Sequence, residues 1–181
     1  TRPGRVVPTI GQWFADFAKT HGQFDDALVD LASFNLPLLD EANHPARQQY
    51  ENEHTKRWSA SVAAADAFVF VTPEYDFFPP ASLVNAVQTL LHEWKYKPAA
   101  IVSYGGVSAG LRASQALRQL LGNVNVMAIS QSVPIPFFPQ FIGEEGTVRP
   151  NEQMTEGATL LLDELAKWAG ALKTIRTPDA A

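Results

Sequence analysis

Three short segments of this chain combine side chains and glycines suited to gripping an anion and the edge of a flat polar ring. The first, Thr1-Arg2-Pro3-Gly4-Arg5, places a hydroxyl and two guanidinium groups directly before a helical pattern. Guanidinium groups pair with phosphate oxygens through paired N–H donors, and the free amides of a helix N-terminus add more. That set suits a phosphate monoester. The second segment, Thr72-Pro73-Glu74-Tyr75-Asp76-Phe77-Phe78-Pro79-Pro80, follows an apolar run. The third, Ser103-Tyr104-Gly105-Gly106-Val107-Ser108-Ala109-Gly110, follows another. Their backbone amides and carbonyls could meet the polar edge of a heterocycle.

Other chemistries find no support. Gly106-Val107-Ser108-Ala109-Gly110 spells G-x-S-x-G, but the spelling alone does not make the strand-to-helix elbow of a serine nucleophile, and Ser103 lies outside it. No G-x-G-x-x-G occurs, so a tightly held Rossmann dinucleotide is not expected. His21, His44, His54 and His92 lack the short spacing of a metal pair. With no cysteine there is neither a disulfide scaffold nor a thiolate zinc site. Lys and Arg number 14 against 19 Asp and Glu, a net charge of −5 that argues against nucleic acid as a partner. The stretch Ser61–Val71 is too short for a bilayer and carries Asp66, so no membrane association is expected. No secretory pattern opens the sequence, which leaves a cytoplasmic expectation.

Taken singly, each site residue also has a plainer role. Arg2 and Arg5 could be solvated cations, Tyr104 a core edge, Glu74 a helix-capping carboxylate, and Gly105-Gly106 a turn. The functional reading rests on three loops occurring in order, each at the right place relative to a strand or helix.

Those loops need elements to position them. Short apolar runs predict strands at Ala27–Leu31, Ala67–Val71, Ala99–Val102 and Val124–Ile129. Apolar residues at three- and four-residue steps predict helices at Ile10–Lys19, Ser82–Glu93, Leu111–Leu121 and Met154–Leu172. Pro79-Pro80 opens the second of these, where proline costs no intrahelical hydrogen bond. Val133–Phe141 and Asn35–Pro45 read as loops. Strands alternating with amphipathic helices predict an α/β doubly wound parallel sheet covered on both faces. Such sheets bind ligands outside the carboxyl ends of their strands, where the three loops fall. With 46% hydrophobic and 18% charged residues, disorder is excluded and one domain over residues 1–181 is expected. A doubly wound sheet places a central strand before its first loop, so a strand preceding Thr1 is expected, giving five.

With these residues in view, TRPGR, TPEYDFFPPASLVNAV and KPAAIVSYGGVSAGLRASQALRQLL resemble the NADPH-dependent FMN reductase family, of flavodoxin-like fold. The resemblance spans nearly the whole chain and is most specific over Val71–Arg118. It implies non-covalently bound FMN, NAD(P)H as hydride donor, and flavin, quinones or similar small molecules as acceptors. The flavin N5 carries the hydride, so no catalytic side chain is implied. Nicotinamide and acceptor would use one flavin face in turn, giving ping-pong kinetics. By residue, the resemblance puts Thr1, Arg2 and Arg5 on the FMN phosphate. It puts Pro73, Glu74, Tyr75 and Asp76 along the isoalloxazine, and Tyr104, Gly105, Gly106 and Val107 at the pyrimidine end. Asp76 departs from the usual asparagine: ionised Asp only accepts hydrogen bonds and would make the flavin harder to reduce, unless its carboxylate turns away onto backbone amides. Phe77-Phe78 adds bulk that narrows the acceptor side. The resemblance also implies a homodimer or homotetramer, with the Leu83–Trp94 stripe and Phe77-Phe78 as the apolar surface. The rival reading is a flavodoxin-like electron carrier or a flavin-binding redox sensor; the modest negative charge favours the enzyme.

Overall fold

In a computed structural model, described over residues 1–176, three parallel strands form the sheet in the order β1-β2-β3. They are β1 (Phe68–Pro73), β2 (Lys97–Tyr104) and β3 (Val126–Ile135). Five helices surround them: α1 (Val7–His21), α2 (Glu53–Ala64), α3 (Ala81–Gln88), α4 (Leu111–Asn123) and α5 (Glu152–Arg176). Thr177–Ala181, the end of the expected domain, lie outside the described residues.

The central strand organises two cores. All eight residues of β2 are buried, and successive side chains point to opposite faces. Ala100, Val102 and Tyr104 join Ile10, Phe14 and Ala18 of α1 and Met154, Ala158, Leu161, Leu162 and Leu165 of α5. Ala99 and Ile101 join Trp58 and Val62 of α2, Leu83, Ala86 and Val87 of α3, and Leu117 and Leu121 of α4. The result is the expected three-layer α/β/α arrangement. Among the described residues no helix is long and apolar enough to cross a membrane.

Several expected elements differ. Ala27–Leu31 forms no strand; Leu31 instead opens a 3-10 turn, Leu31–Phe34, capped by the Asp30 carboxylate on the Ala32 amide at 3.0 Å. The run has strand composition but no neighbouring strand to pair with among the described residues, and backbone pairing is what makes a strand. Three strands are present there, not five. The helix expected over Ser82–Glu93 stops at Gln88, where the Thr89 hydroxyl bonds back to the Asn85 carbonyl at 2.7 Å, and a 3-10 turn His92–Trp94 follows. Part of the expected Val133–Phe141 loop is strand: β3 continues to Ile135 beyond a bulge opposite Ala99–Ile101. The half-buried Arg118 guanidinium makes that continuation tenable by donating to the carbonyls of Ala128, Ile129 and Ser130. Helix α2 went unanticipated, although Thr55, Trp58 and Val62 mark its buried face at helical spacing.

Candidate active site

The loops leaving the strand ends are tied to one another by backbone hydrogen bonds. The Glu74 amide donates to the Tyr104 carbonyl at 3.2 Å, and the Gly105 amide to the Ile135 carbonyl at 3.2 Å. Phe137, beyond β3, donates its amide to the Gly106 carbonyl at 3.1 Å. The β1, β2 and β3 exits therefore form one shelf. Sequence reasoning missed the third exit, because the Pro- and Phe-rich run after Val133 signals a loop without indicating where it docks.

The first loop meets the shelf from the α1 side. Helix α1 begins at Val7 with no side-chain cap and no acidic residue in its first turn. Arg5 pairs with Asp30 at 2.5 Å, yet its Nε is buried and without a partner. Burial opposes ionisation of Asp30, but the Ala32 amide and the Arg5 guanidinium outweigh it and hold the carboxyl below the usual range. Arg2 lies 5.5 Å from the centre of the Tyr75 ring, which joins the first loop to the second. Thr1 is exposed.

In the second loop Glu74 does not project freely. Its carboxylate accepts from the Ser108 hydroxyl at 2.7 Å and from the amides of Arg112 at 3.0 Å and Ala113 at 3.3 Å. It also pairs with the Arg112 guanidinium at 3.3 Å. Glu74 thus caps α4 from outside the helix, complementing the positive end of its dipole. Burial works against the charge, but the Ser108 hydroxyl, the two amides and Arg112 together hold its pKa below the ordinary value. Pro73 ends β1, paired in register with Tyr104.

Tyr75 and Phe78 exchange both backbone hydrogen bonds at 2.9 Å, closing a two-residue turn on Asp76 and Phe77. Both central residues are left-handed, at φ 48° and 73°. Such turns favour Asn-Gly, and a bulky residue there costs about 1–2 kcal/mol. Asp76 is exposed, and among the described residues nothing holds its carboxylate. The expected turn of that carboxylate onto backbone amides is not seen.

In the third loop Tyr104 is buried, its ring edge-on to Phe138 at 5.1 Å, and burial pushes its phenol pKa up. Gly110, at φ 78°, is required: a Cβ there would lie 2.8 Å from Ser103 Cβ and from the Tyr104 nitrogen. Gly106 is the opposite case, since a Cβ there would project into open space. Val107 beside it is 78% exposed. Gly106 therefore leaves main chain bare on the outer side of the shelf, whereas Gly105 packs against Gly110, whose nitrogen would lie 3.1 Å from a Cβ there. Two clefts elsewhere, of about 360 and 490 Å³ along α1, are lined by no residue of these three loops.

The sequence profile of the NADPH-dependent FMN reductases matches residues 1–140. An NAD(P)H-dependent FMN reductase of Schizosaccharomyces pombe is 40% identical over 157 residues, covering 86% of this chain and 78% of the relative. The chain belongs to the NADPH-dependent FMN reductase family. One from Saccharomyces cerevisiae is 37% identical over 154 residues, covering 75% of this chain and 80% of that one. Among solved structures, the flavoenzyme NAD(P)H:(acceptor) oxidoreductase of Paracoccus denitrificans superposes with a TM-score of 0.74 at 20% identity. That match covers 94% of this chain and 93% of the other, and shows the flavodoxin-like reductase fold.

The expected FMN and NAD(P)H dependence agrees with this membership, and the residues present fit the cofactor. An uncapped helix with no first-turn acid, beside a guanidinium whose buried Nε lacks a partner, suits a phosphate. The bare main chain at Gly106 suits a ring edge. The Leu83–Trp94 stripe does not fit its expected oligomeric use: Leu83, Val87, Leu90 and Trp94 are all buried within the protomer. Phe77 and Phe78 alone of that surface are exposed.

Proposed function

We propose that this protein reduces flavin, quinone or similarly small flat acceptors with electrons from NAD(P)H, the two substrates occupying one site in turn in a ping-pong sequence. The observation that carries this reading is the buried, unpartnered Arg5 Nε at the uncapped start of α1, on the rim of a shelf built from the strand exits. When bound, FMN supplies the hydride-accepting N5 and the redox chemistry. Thr1, Arg2 and Arg5 hold its phosphate. Pro73, Tyr75 and Asp76 flank the ring, and Tyr104, Gly105, Gly106 and Val107 present main chain to its pyrimidine edge. Glu74 works through structure, locking the second loop to α4 so that both loops keep their spacing. No catalytic side chain is assigned.

In the same reading the protein acts in the cytoplasm as a homodimer or homotetramer, without nucleic-acid or membrane partners, and Phe78, 63% exposed, lies at a contact between copies. The test is the visible spectrum of protein reconstituted with FMN, followed anaerobically. NADPH alone should bleach it, and a quinone should restore the colour. Bleaching only after a separate reductase is added would make the protein a carrier, and failure to take up FMN would refute both readings.

A further inference from the structure

Phe77 is the most anomalous side chain on the shelf. A large aromatic residue sits in a left-handed turn position at φ 73° that glycine normally fills, and its ring is 59% exposed. Hydrophobic burial therefore does not explain its presence. The ring is nevertheless held: the Arg112 guanidinium lies 4.1 Å from its centre, close contact for a cation over an aromatic face. Arg112 is itself held by Glu74 at 3.3 Å, and Glu74 by the Ser108 hydroxyl and the first amides of α4. Phe77 belongs to the β1 exit and Arg112 to the helix after the β2 exit, so the ring spans the gap between two loops of the site. A strained residue that persists where the surroundings fix its side chain points to function.

We propose that Phe77, clamped by Arg112, is a specificity-determining residue: a fixed aromatic wall that limits the width of the acceptor reaching the shelf. This deepens the reductase reading above and rests on it. A mobile exposed phenylalanine would swing aside for a wide acceptor. One anchored through Arg112 and Glu74 to α4 can do so only by giving up the cation–ring contact.

The test compares 1,4-benzoquinone, with one ring, and anthraquinone-2-sulfonate, with three fused rings, as acceptors for the FMN-loaded wild type, Phe77→Gly and Phe77→Ala. In Phe77→Gly the KM for the anthraquinone should fall at least fivefold while that for benzoquinone stays within twofold. Arg112→Ala, which frees the ring without removing it, should shift the same ratio in the same direction by less. A readout independent of turnover is the thermal midpoint of the FMN-free proteins. Glycine accepts the left-handed backbone and alanine does not, so Phe77→Gly should melt about 2–4 °C above Phe77→Ala. Should Phe77→Gly not fold, Phe77→Asn, whose side chain also tolerates this backbone, takes its place. An acceptor ratio unchanged within twofold, in protein that binds FMN and oxidises NADPH, overturns the wall alone. Equal shifts for both acceptors together with a changed oligomeric mass would make Phe77 an interface residue and also overturn it. A wild type that neither binds FMN nor oxidises NADPH overturns the reductase reading, and the wall with it.

Discussion

Strand β2 and the loop that leaves it are contiguous in sequence and opposite in physics. Along Lys97–Tyr104 every residue is buried, and side chains alternate between two apolar clusters. Within a few residues of its end, Gly106 and Val107 are exposed and Ala109 adopts a left-handed backbone at φ 55°. The neighbouring exits repeat the contrast with Asp76, Phe77 and Phe137, all left-handed and all non-glycine. Burial supplies the free energy of folding in the first region. In the second, strain, exposed rings and unused donors are tolerated because that region rests on the first. The two should accordingly fail in different ways, one losing stability and the other losing ligand.

The largest expected effect is in the core. Trp94 is fully buried, meets Trp58 and Phe68 edge-on, and donates its indole N–H to the Val87 carbonyl at 3.1 Å. Trp94→Ala should cost about 3–5 kcal/mol in denaturant unfolding while the folded fraction binds FMN as before. A large loss of FMN affinity in folded Trp94→Ala protein would break the separation.

Glu74 sits at the join of the two regions. Glu74→Gln should destabilise by about 1–2 kcal/mol near neutral pH, through weaker hydrogen bonds to Ser108 and the α4 amides. Its folded pKa lies below the ordinary value of 4.5, so the ionised clamp contributes fully above that value. The contribution fades as pH falls through the lower folded pKa. Stability curves of wild type and Glu74→Gln should therefore converge in acid; a difference independent of pH would remove the charge from the explanation.

The smallest effect belongs to Asp76, exposed and without a hydrogen-bond partner among the described residues. Asp76→Asn should raise the midpoint potential of bound FMN by only about 10–30 mV, as solvent screens an exposed charge. An unchanged potential would discard the electrostatic role and leave Asp76 as a turn residue.

The sequence made the core side of this contrast readable, because burial imposes a period. The alternation in β2 and the three- and four-residue steps of α1, α4 and α5 name their own faces. Helix α3 read too long, since the apolar pattern continues through Leu90, Leu91 and Trp94 after the backbone has left the helix at Thr89; Leu90 and Trp94 stay buried, and Leu91 partly so, by another route. Ala27–Leu31 misled for the converse reason: composition marks a capacity to pair, and pairing needs a neighbour. Of the site, the three loops and their order were legible from glycine, proline and arginine content. What those residues do to each other was not. Nothing in Glu74, Ser108 and Arg112 at their spacings reveals a carboxylate capping a distant helix, and nothing in Asp-Phe-Phe announces a turn that prefers Asn-Gly. Such contacts join residues more than 30 positions apart and exist only once the sheet has brought the exits together.

The central claim is that the start of α1 grips a phosphate, and comparing FMN with riboflavin tests it most directly, because the two differ only in that group. Quenching of flavin fluorescence gives both dissociation constants for wild type and for Arg5→Ala. At about 1.5–3 kcal/mol for a charged hydrogen bond, FMN should bind wild type at least tenfold more tightly than riboflavin, and most of that advantage should vanish in Arg5→Ala. Equal affinity for the two flavins in the wild type, or an FMN advantage that survives loss of Arg5, would contradict it.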